Sequence, residues 1–209
     1  MRILVIGGHG KTGTEVLKEA QARNHEVVAL TRRNEAVAAG KQIVKSVFDL
    51  NAEDLKSYDA VVNTLGFWTE DTLPLHKKAM QHLCTILAGN QTHYVVVGGA
   101  GSLFVNKEHT VKLEETPDFL DSYKAVSKET GEAFEELKKH SNLNWTYISP
   151  AADYRADGER TSRYALAGEE FTLNDNGESY LSYADMGQIV LDIIESGKYT
   201  RQRLSAYTK

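Results

Sequence analysis

Apolar residues along this chain alternate between two patterns. Short continuous runs rich in valine and isoleucine recur at residues 3–6, 27–30, 43–47, 59–65, 92–97, 143–149 and 203–207. Their length and β-branching predict strands, and an unbroken run such as Val95, Val96 and Val97 predicts a strand covered on both faces. Between them, apolar residues return at helical spacing: Val16, Leu17 and Ala20; Leu75, Ala79, His82, Leu83 and Ile86 over residues 73–87; Tyr123, Val126, Phe134 and Leu137 over 119–140. A last helix carries Ile189, Val190, Ile193 and Ile194 and is capped by Ala184 and Asp185, and residues 34–40 read as a short helix ending at Gly40. Strand and helix alternate, so the fold class is α/β. From 151 to 183 the pattern turns polar and aromatic, with short strands expected at 171–173 and 180–182 and a small substrate-side lobe implied.

The first unit is the most informative. Strand 3–6, glycines at Gly7, Gly8, Gly10 and Gly13, a helix and strand 27–30 form a βαβ unit of nucleotide-binding length. The glycines remove the Cβ atoms that would block the tight turn and keep the chain from a diphosphate, and Gly13 permits close helix–strand packing. The free N–H groups of the helix's first turn then face an anion, helped by the Thr12 hydroxyl and the Lys11 charge. Gly8, Gly10 and Gly13 fit GxGxxG, and Gly7, Gly10 and Gly13 fit GxxGxxG. A P-loop is excluded: the glycine it needs five residues before Gly10 is Val5.

Arg32 and Arg33 end the second strand, where NAD-selective chains carry an acidic residue for the ribose hydroxyls. Guanidinium forks match a 2′-phosphate, so NADP(H) is favoured over NAD(H), with Glu35 keeping NAD(H) open. Asp49 suits an adenine amino group and Leu50 its ring; the alternative is that Asp49 or Asn51 caps the next helix. Strand four ends at Leu65 and Gly66, again a close approach to a ligand. Phe67 and Trp68 follow, either to stack on a flat substrate or to cover the core. Strand five ends in residues 98–102, Gly-Gly-Ala-Gly-Ser, and a long loop to Pro117 reads as functional or mobile.

Composition narrows the class. The 209 residues suit one domain with a small lobe, 1–209, and net charge −5 with no long basic run leaves no footprint for nucleic acid or an anionic membrane. No apolar run reaches membrane-spanning length and no leader pattern precedes the first strand, so a cytoplasmic protein is expected. The seven histidines show no metal-ligand spacing, so no metal site is expected; His9 lies inside the glycine turn. The single cysteine, Cys84, reads as a core residue.

Across nearly its whole length the chain resembles the atypical short-chain dehydrogenase/reductases, in particular the NADH-flavin-reductase-like and NmrA-like NAD(P)-binding proteins. The stretches that carry this are GGHGKTG at 7–13, TRR at 31–33, VVVGGAGSL at 95–103, SYKAVSKETGEAFEEL at 122–137, GERT at 158–161 and SYADMG at 182–187. The resemblance implies a doubly wound parallel sheet with the dinucleotide across its carboxyl edge. It implies Gly7, Gly10, Thr12 and Gly13 at the diphosphate, Arg32 and Arg33 at the 2′-phosphate, and Asp49 and Leu50 at the adenine. Leu65 and Gly66 would flank the ribose, Gly99, Ala100 and Pro150 the nicotinamide, and residues 182–185 would be structural.

One departure bears on mechanism. Short-chain dehydrogenases use Tyr-x-x-x-Lys, in which the lysine lowers the tyrosine pKa. Here the residue four after Tyr123 is Ser127, and the nearby lysines are Lys124 and Lys128. Five residues on a helix rotate Lys128 about 140° from Tyr123. Transfer of hydride to a flavin or quinone needs stacking and orientation more than acid–base help. Phe67, Trp68 and Tyr154 are the flat surfaces for it, with solvent or Tyr123 as proton source. The expectation is an NADPH-dependent reductase of a small-molecule flavin or quinone-like acceptor, the flavin being substrate rather than tightly bound. The alternative is an NADP(H)-binding redox sensor without turnover. A homodimer or a regulatory protein partner is compatible with either, and a sugar-nucleotide epimerase is a weaker third reading.

Overall fold

Strand β1 (Arg2–Ile6) runs through the glycine turn into α1 (Lys11–Ala22), and β2 (Glu26–Thr31) returns parallel to β1. The computed structural model describes residues 1–39 and 41–209. Next come β3 (Gln42–Val44), α2 (Ala52–Leu55), β4 (Ala60–Asn63), α3 (Leu75–Leu87), β5 (His93–Val97) and α4 (Asp121–Lys138). The chain ends with β6 (Trp145–Ser149), β7 (Asp153–Arg155), β8 (Tyr164–Ala167), β9 (Tyr180–Ser182), α5 (Tyr183–Ser196) and β10 (Gln202–Thr208). The main sheet has the order β3-β2-β1-β4-β5-β6-β10-β8, and β7 pairs with β9 in a second, two-stranded sheet. The main sheet is parallel apart from β8, which runs antiparallel to β10. Strand order reverses at β1, which has β2 on one side and β4 on the other. The fold is therefore the doubly wound α/β arrangement, with its ligand crevice at the carboxyl ends of β1 and β4.

Side chains of the central strands alternate between two cores. Leu4, Ile6, Val61 and Val96 pack with α3 and α4, while Ile3, Val5, Val62 and Val95 pack with α1 and α5. Both faces are covered, which is why these strands read as unbroken apolar runs. Helices α1 and α5 approach so closely that a Cβ on Gly187 would stand 2.7 Å from the Glu15 carbonyl oxygen.

Several expectations are corrected. Residues 34–39 contain no helix, and Gly40 lies outside the described residues. One turn anchored only by buried Ala39 and half-buried Val37 has too little packing to offset helix nucleation. The third strand covers Gln42–Val44 and then tightens into a 3-10 turn at Val47–Asp49. Asn51 caps α2, accepting from the Asp54 N–H at 3.2 Å. Ser182, not Ala184 or Asp185, caps α5, its hydroxyl accepting from the Asp185 N–H at 3.0 Å. Residues 171–173 form no strand; Phe171 makes a single tie, its N–H donating to the Phe104 carbonyl at 2.8 Å. Within 151–183, β8 joins the main sheet through β10, and only β7 and β9 form the extra layer above its carboxyl edge.

Candidate functional site

The glycine turn is shaped by contacts that only glycine tolerates. Gly7 sits at φ +89°, and a Cβ on Gly13 would press into the Gly7 carbonyl oxygen. That carbonyl accepts from the Gly10 N–H at 2.8 Å, which closes the turn. Helix α1 starts without a side-chain cap and with no acidic residue in its first turn. Its opening N–H groups are thus left for an anion, and Gly10 and Lys11 beside them are exposed. The cradle, the open helix end and the crevice fit a dinucleotide diphosphate.

A hollow of about 760 Å³ extends from this turn toward β2 and β3. Gly7, Gly10, Arg32, Arg33 and Lys45 line it, giving that end a cationic wall. Arg33 is 3.4 Å from Glu35, whereas Arg32 stands exposed at the strand tip. The His9 ring meets the Glu35 backbone carbonyl at 3.1 Å, so it braces the loop after β2. Neither Asp49 nor Leu50, the residues expected at the adenine, lines this hollow. Leu50 is buried in the core, 4% exposed, and exposed Asp49 does not line the hollow. Val47 and Phe48 do, because the 3-10 turn at Val47–Asp49 presents Phe48 and turns Leu50 inward.

A second hollow of about 460 Å³ begins where the first ends, and Leu65, Gly66 and Phe67 line both. Gly99, Ala100 and Pro150 line it, at the carboxyl ends of β5 and β6. The long loop from 98 to 117 is built by backbone hydrogen bonds, among them Leu113 N–H to Leu103 and Glu114 N–H to Gly101, each 2.8 Å. The two aromatics after β4 divide their roles. Phe67 is 9% exposed and faces the core, while Trp68 is 69% exposed at the rim. Tyr154 reaches back from β7, its hydroxyl 2.9 Å from Thr12 Oγ1, and its ring lies 3.9 Å from that of Tyr183. Burial raises the Tyr154 phenol far above its ordinary pKa, only partly offset by the Thr12 hydrogen bond, so it remains neutral.

Tyr123 lines this second hollow and is 50% exposed. Ser127, one turn on, is buried and donates to Glu114 Oε2 at 2.5 Å. Neither Lys124 nor Lys128 lines the hollow; both are exposed, and Lys124 pairs with Asp121 at 2.7 Å. The tyrosine–lysine pair of short-chain dehydrogenases is therefore missing in space as well as in sequence.

Several wall residues carry little mark in the sequence, His76 and Tyr183 among them. His76 lines the second hollow, edge-on to Phe67 with ring centroids 5.0 Å apart, and its Nε2 is 3.2 Å from the Phe67 amide nitrogen. Burial holds its pKa below the usual value, with the Phe67 carbonyl opposing. The signal was its place one turn before Ala79 and Met80 on the buried face of α3. Tyr183 follows the Ser182 cap directly, and no periodicity marks it.

The chain matches the NAD(P)H-binding family over residues 7–197. YwnB of Bacillus subtilis is 39% identical, covering 100% of this chain and 99% of that protein. A "putative NADH-flavin reductase" from Streptococcus pneumoniae is 42% identical, with a TM-score of 0.97 and 100% of both chains covered. A Lactobacillus casei protein of 26% identity superposes with a TM-score of 0.89, covering 100% of this chain and 99% of the other.

Proposed function

The chain belongs to the NAD(P)H-binding family, and from that membership we propose that it is an NADPH-dependent oxidoreductase that passes hydride to a flavin or quinone-like acceptor. The observation that carries this reading is the two-ended crevice: a cationic hollow at the Arg32 end and an apolar hollow at the Tyr123 end, joined at Leu65–Gly66–Phe67. A bound reduced nicotinamide supplies the hydride. Gly7, Gly10, Lys11, Thr12 and Gly13 hold the diphosphate, Arg32 and Arg33 the 2′-phosphate, and Val47 and Phe48 the adenine side. Leu65 and Gly66 flank the ribose, and Gly99, Ala100 and Pro150 back the nicotinamide ring. Trp68 and Tyr154, with Tyr183, supply flat apolar surface for the acceptor, and Tyr123 reaches it with a hydroxyl. Such orientation is sufficient for hydride transfer to an electron-poor ring, which needs little acid–base assistance.

Steady-state NADPH oxidation with FMN, FAD, riboflavin and quinones tests the reading. Acceleration over the uncatalysed background with at least one acceptor is expected; none with any of them would sink it. The missing tyrosine–lysine pair also supports a second reading, an NADP(H)-binding redox sensor. That reading predicts tight dinucleotide binding without turnover and a protein partner whose affinity follows the redox state.

A further inference from the structure

We infer that the acceptor is an uncharged planar ring compound, a quinone or an isoalloxazine without phosphate, and that phosphorylated flavins are selected against. The inference rests on the hydride-transfer reading of this same site. It comes from the charge distribution along the crevice. Among the described residues, no lysine or arginine lines the 460 Å³ hollow, and Asp118 is the one carboxylate that does. His76 is the only other titratable base there, and its burial keeps the ring neutral at neutral pH.

The rim continues the pattern. Trp68 is 69% exposed, Leu120 64% and Tyr123 50%, forming an apolar lip. The chain beside Trp68 carries exposed Glu70 and Asp71, and the chain before and after Leu120 carries Glu115, Asp118 and Asp121. Lys124 pairs with Asp121 at 2.7 Å and Lys112 with Glu114 at 4.0 Å, so those pairs are close to neutral; exposed Lys128 does not line the hollow, and Glu70, Asp71, Glu115 and Asp118 give the lip its net negative charge. A ring that enters with its side chain trailing outward would place an FMN phosphate over a lip whose net charge is negative. Like charges at such separations repel, more so at low ionic strength. The opposite end of the crevice is lined by Arg32, which makes no ion pair among the described residues, together with Arg33 and Lys45, which pair with Glu35 at 3.4 Å and Asp54 at 2.7 Å.

Inside the hollow, residues 98–101 offer a wall of backbone, glycines and one alanine against which a flat ring can lie. Tyr123 and Thr130 also line the hollow; the Thr130 hydroxyl already donates to the Ser127 carbonyl at 2.9 Å, so of the two the Tyr123 hydroxyl is the one left to donate to a ring carbonyl. The reaction balances as NADPH, acceptor and one proton giving NADP⁺ and the two-electron-reduced acceptor. The C4–H bond of the nicotinamide breaks, a bond from hydrogen to the acceptor ring forms, and the proton comes from solvent.

Riboflavin and FMN share one ring and differ in the phosphate, so they isolate the effect. NADPH oxidation with each at low ionic strength should give kcat/KM about tenfold lower for FMN, carried by KM, with the gap closing as salt is added. Flavin fluorescence titrated with the NADP⁺-loaded protein should give the same order of affinity. An uncharged naphthoquinone and its sulfonate should differ in the same direction. Equal or better use and binding of FMN would overturn the inference, as would failure of both flavins and both quinones to bind. If the ligands bind in the expected order and none is reduced, the reductase reading fails and the charge selectivity stands. Asp118→Lys should raise FMN relative to riboflavin in both assays; an unchanged ratio would contradict the selectivity.

Discussion

Gly13 shows how much a single position decides. Gly13→Ala forces a methyl into the Gly7 carbonyl, so the turn must open to relieve the contact. The expected cost is about 1–3 kcal/mol of stability, together with loss of the thermal shift that NADP(H) gives the wild type; denaturant melts with and without the dinucleotide check both. At the next strand tip, Arg32→Ala removes an exposed guanidinium from the cationic hollow. NADP⁺ affinity should fall about tenfold, the worth of one charge-assisted contact, while NAD⁺ affinity is unchanged, as titrations with each dinucleotide would reveal. Tyr123→Phe should lower kcat by only a few fold, far less than the factor of about 10²–10⁴ expected of an essential general acid. The glycines were legible because their spacing has one physical use. Asp49 and Leu50 were not, because one 3-10 turn decides which side chain faces the hollow. Phe67 and Trp68 were equivalent in sequence, and only the chain's path after β4 sends one into the core and the other to the rim.

At the scale of elements, the buried strands and long helices announced themselves through unbroken or helically spaced apolar residues. In the stretch from 151 to 183 only the strand at 180–182 did, and it is β9. The other two strands there, β7 and β8, are short and have no buried residue, and β8 is specified by pairing with β10 rather than by its own pattern. A polar network ties this stretch to the dinucleotide unit. Buried Glu19 on α1 accepts from Arg160 at 2.6 Å and Arg23 at 2.8 Å, and Arg23 also reaches Asp192 on α5 at 2.6 Å. Burial opposes the Glu19 charge, but the two guanidiniums outweigh it and hold the carboxyl below its ordinary value of 4.5. Its stabilising contribution is therefore present above 4.5 and is lost as pH falls through the depressed native value. Glu19→Gln should cost about 2 kcal/mol at neutral pH, and the deficit should shrink in acid. Denaturation of both proteins across that pH range is the check.

At the scale of the molecule, doubly wound topology puts every functional segment at one edge. The turn after β1, the tip of β2, the turn after β4 and the loops after β5 and β6 all open there. The α/β class and the dinucleotide end could be read from the first 33 residues, since βαβ chemistry is local. The apolar hollow is assembled from segments more than a hundred residues apart, such as Trp68 and Tyr183, so no local pattern encodes it. Among the described residues no helix is long and apolar enough to cross a membrane. The proposed function couples a crevice that is cationic at one end to an apolar mouth at the other. The most direct test is the rate of NADPH oxidation by the purified protein with riboflavin as acceptor, compared with NADH at equal concentration. Saturable acceleration above the uncatalysed rate, greater with NADPH, is the predicted result. Tight NADP(H) binding with oxidation at the background rate for riboflavin and quinones alike would contradict it.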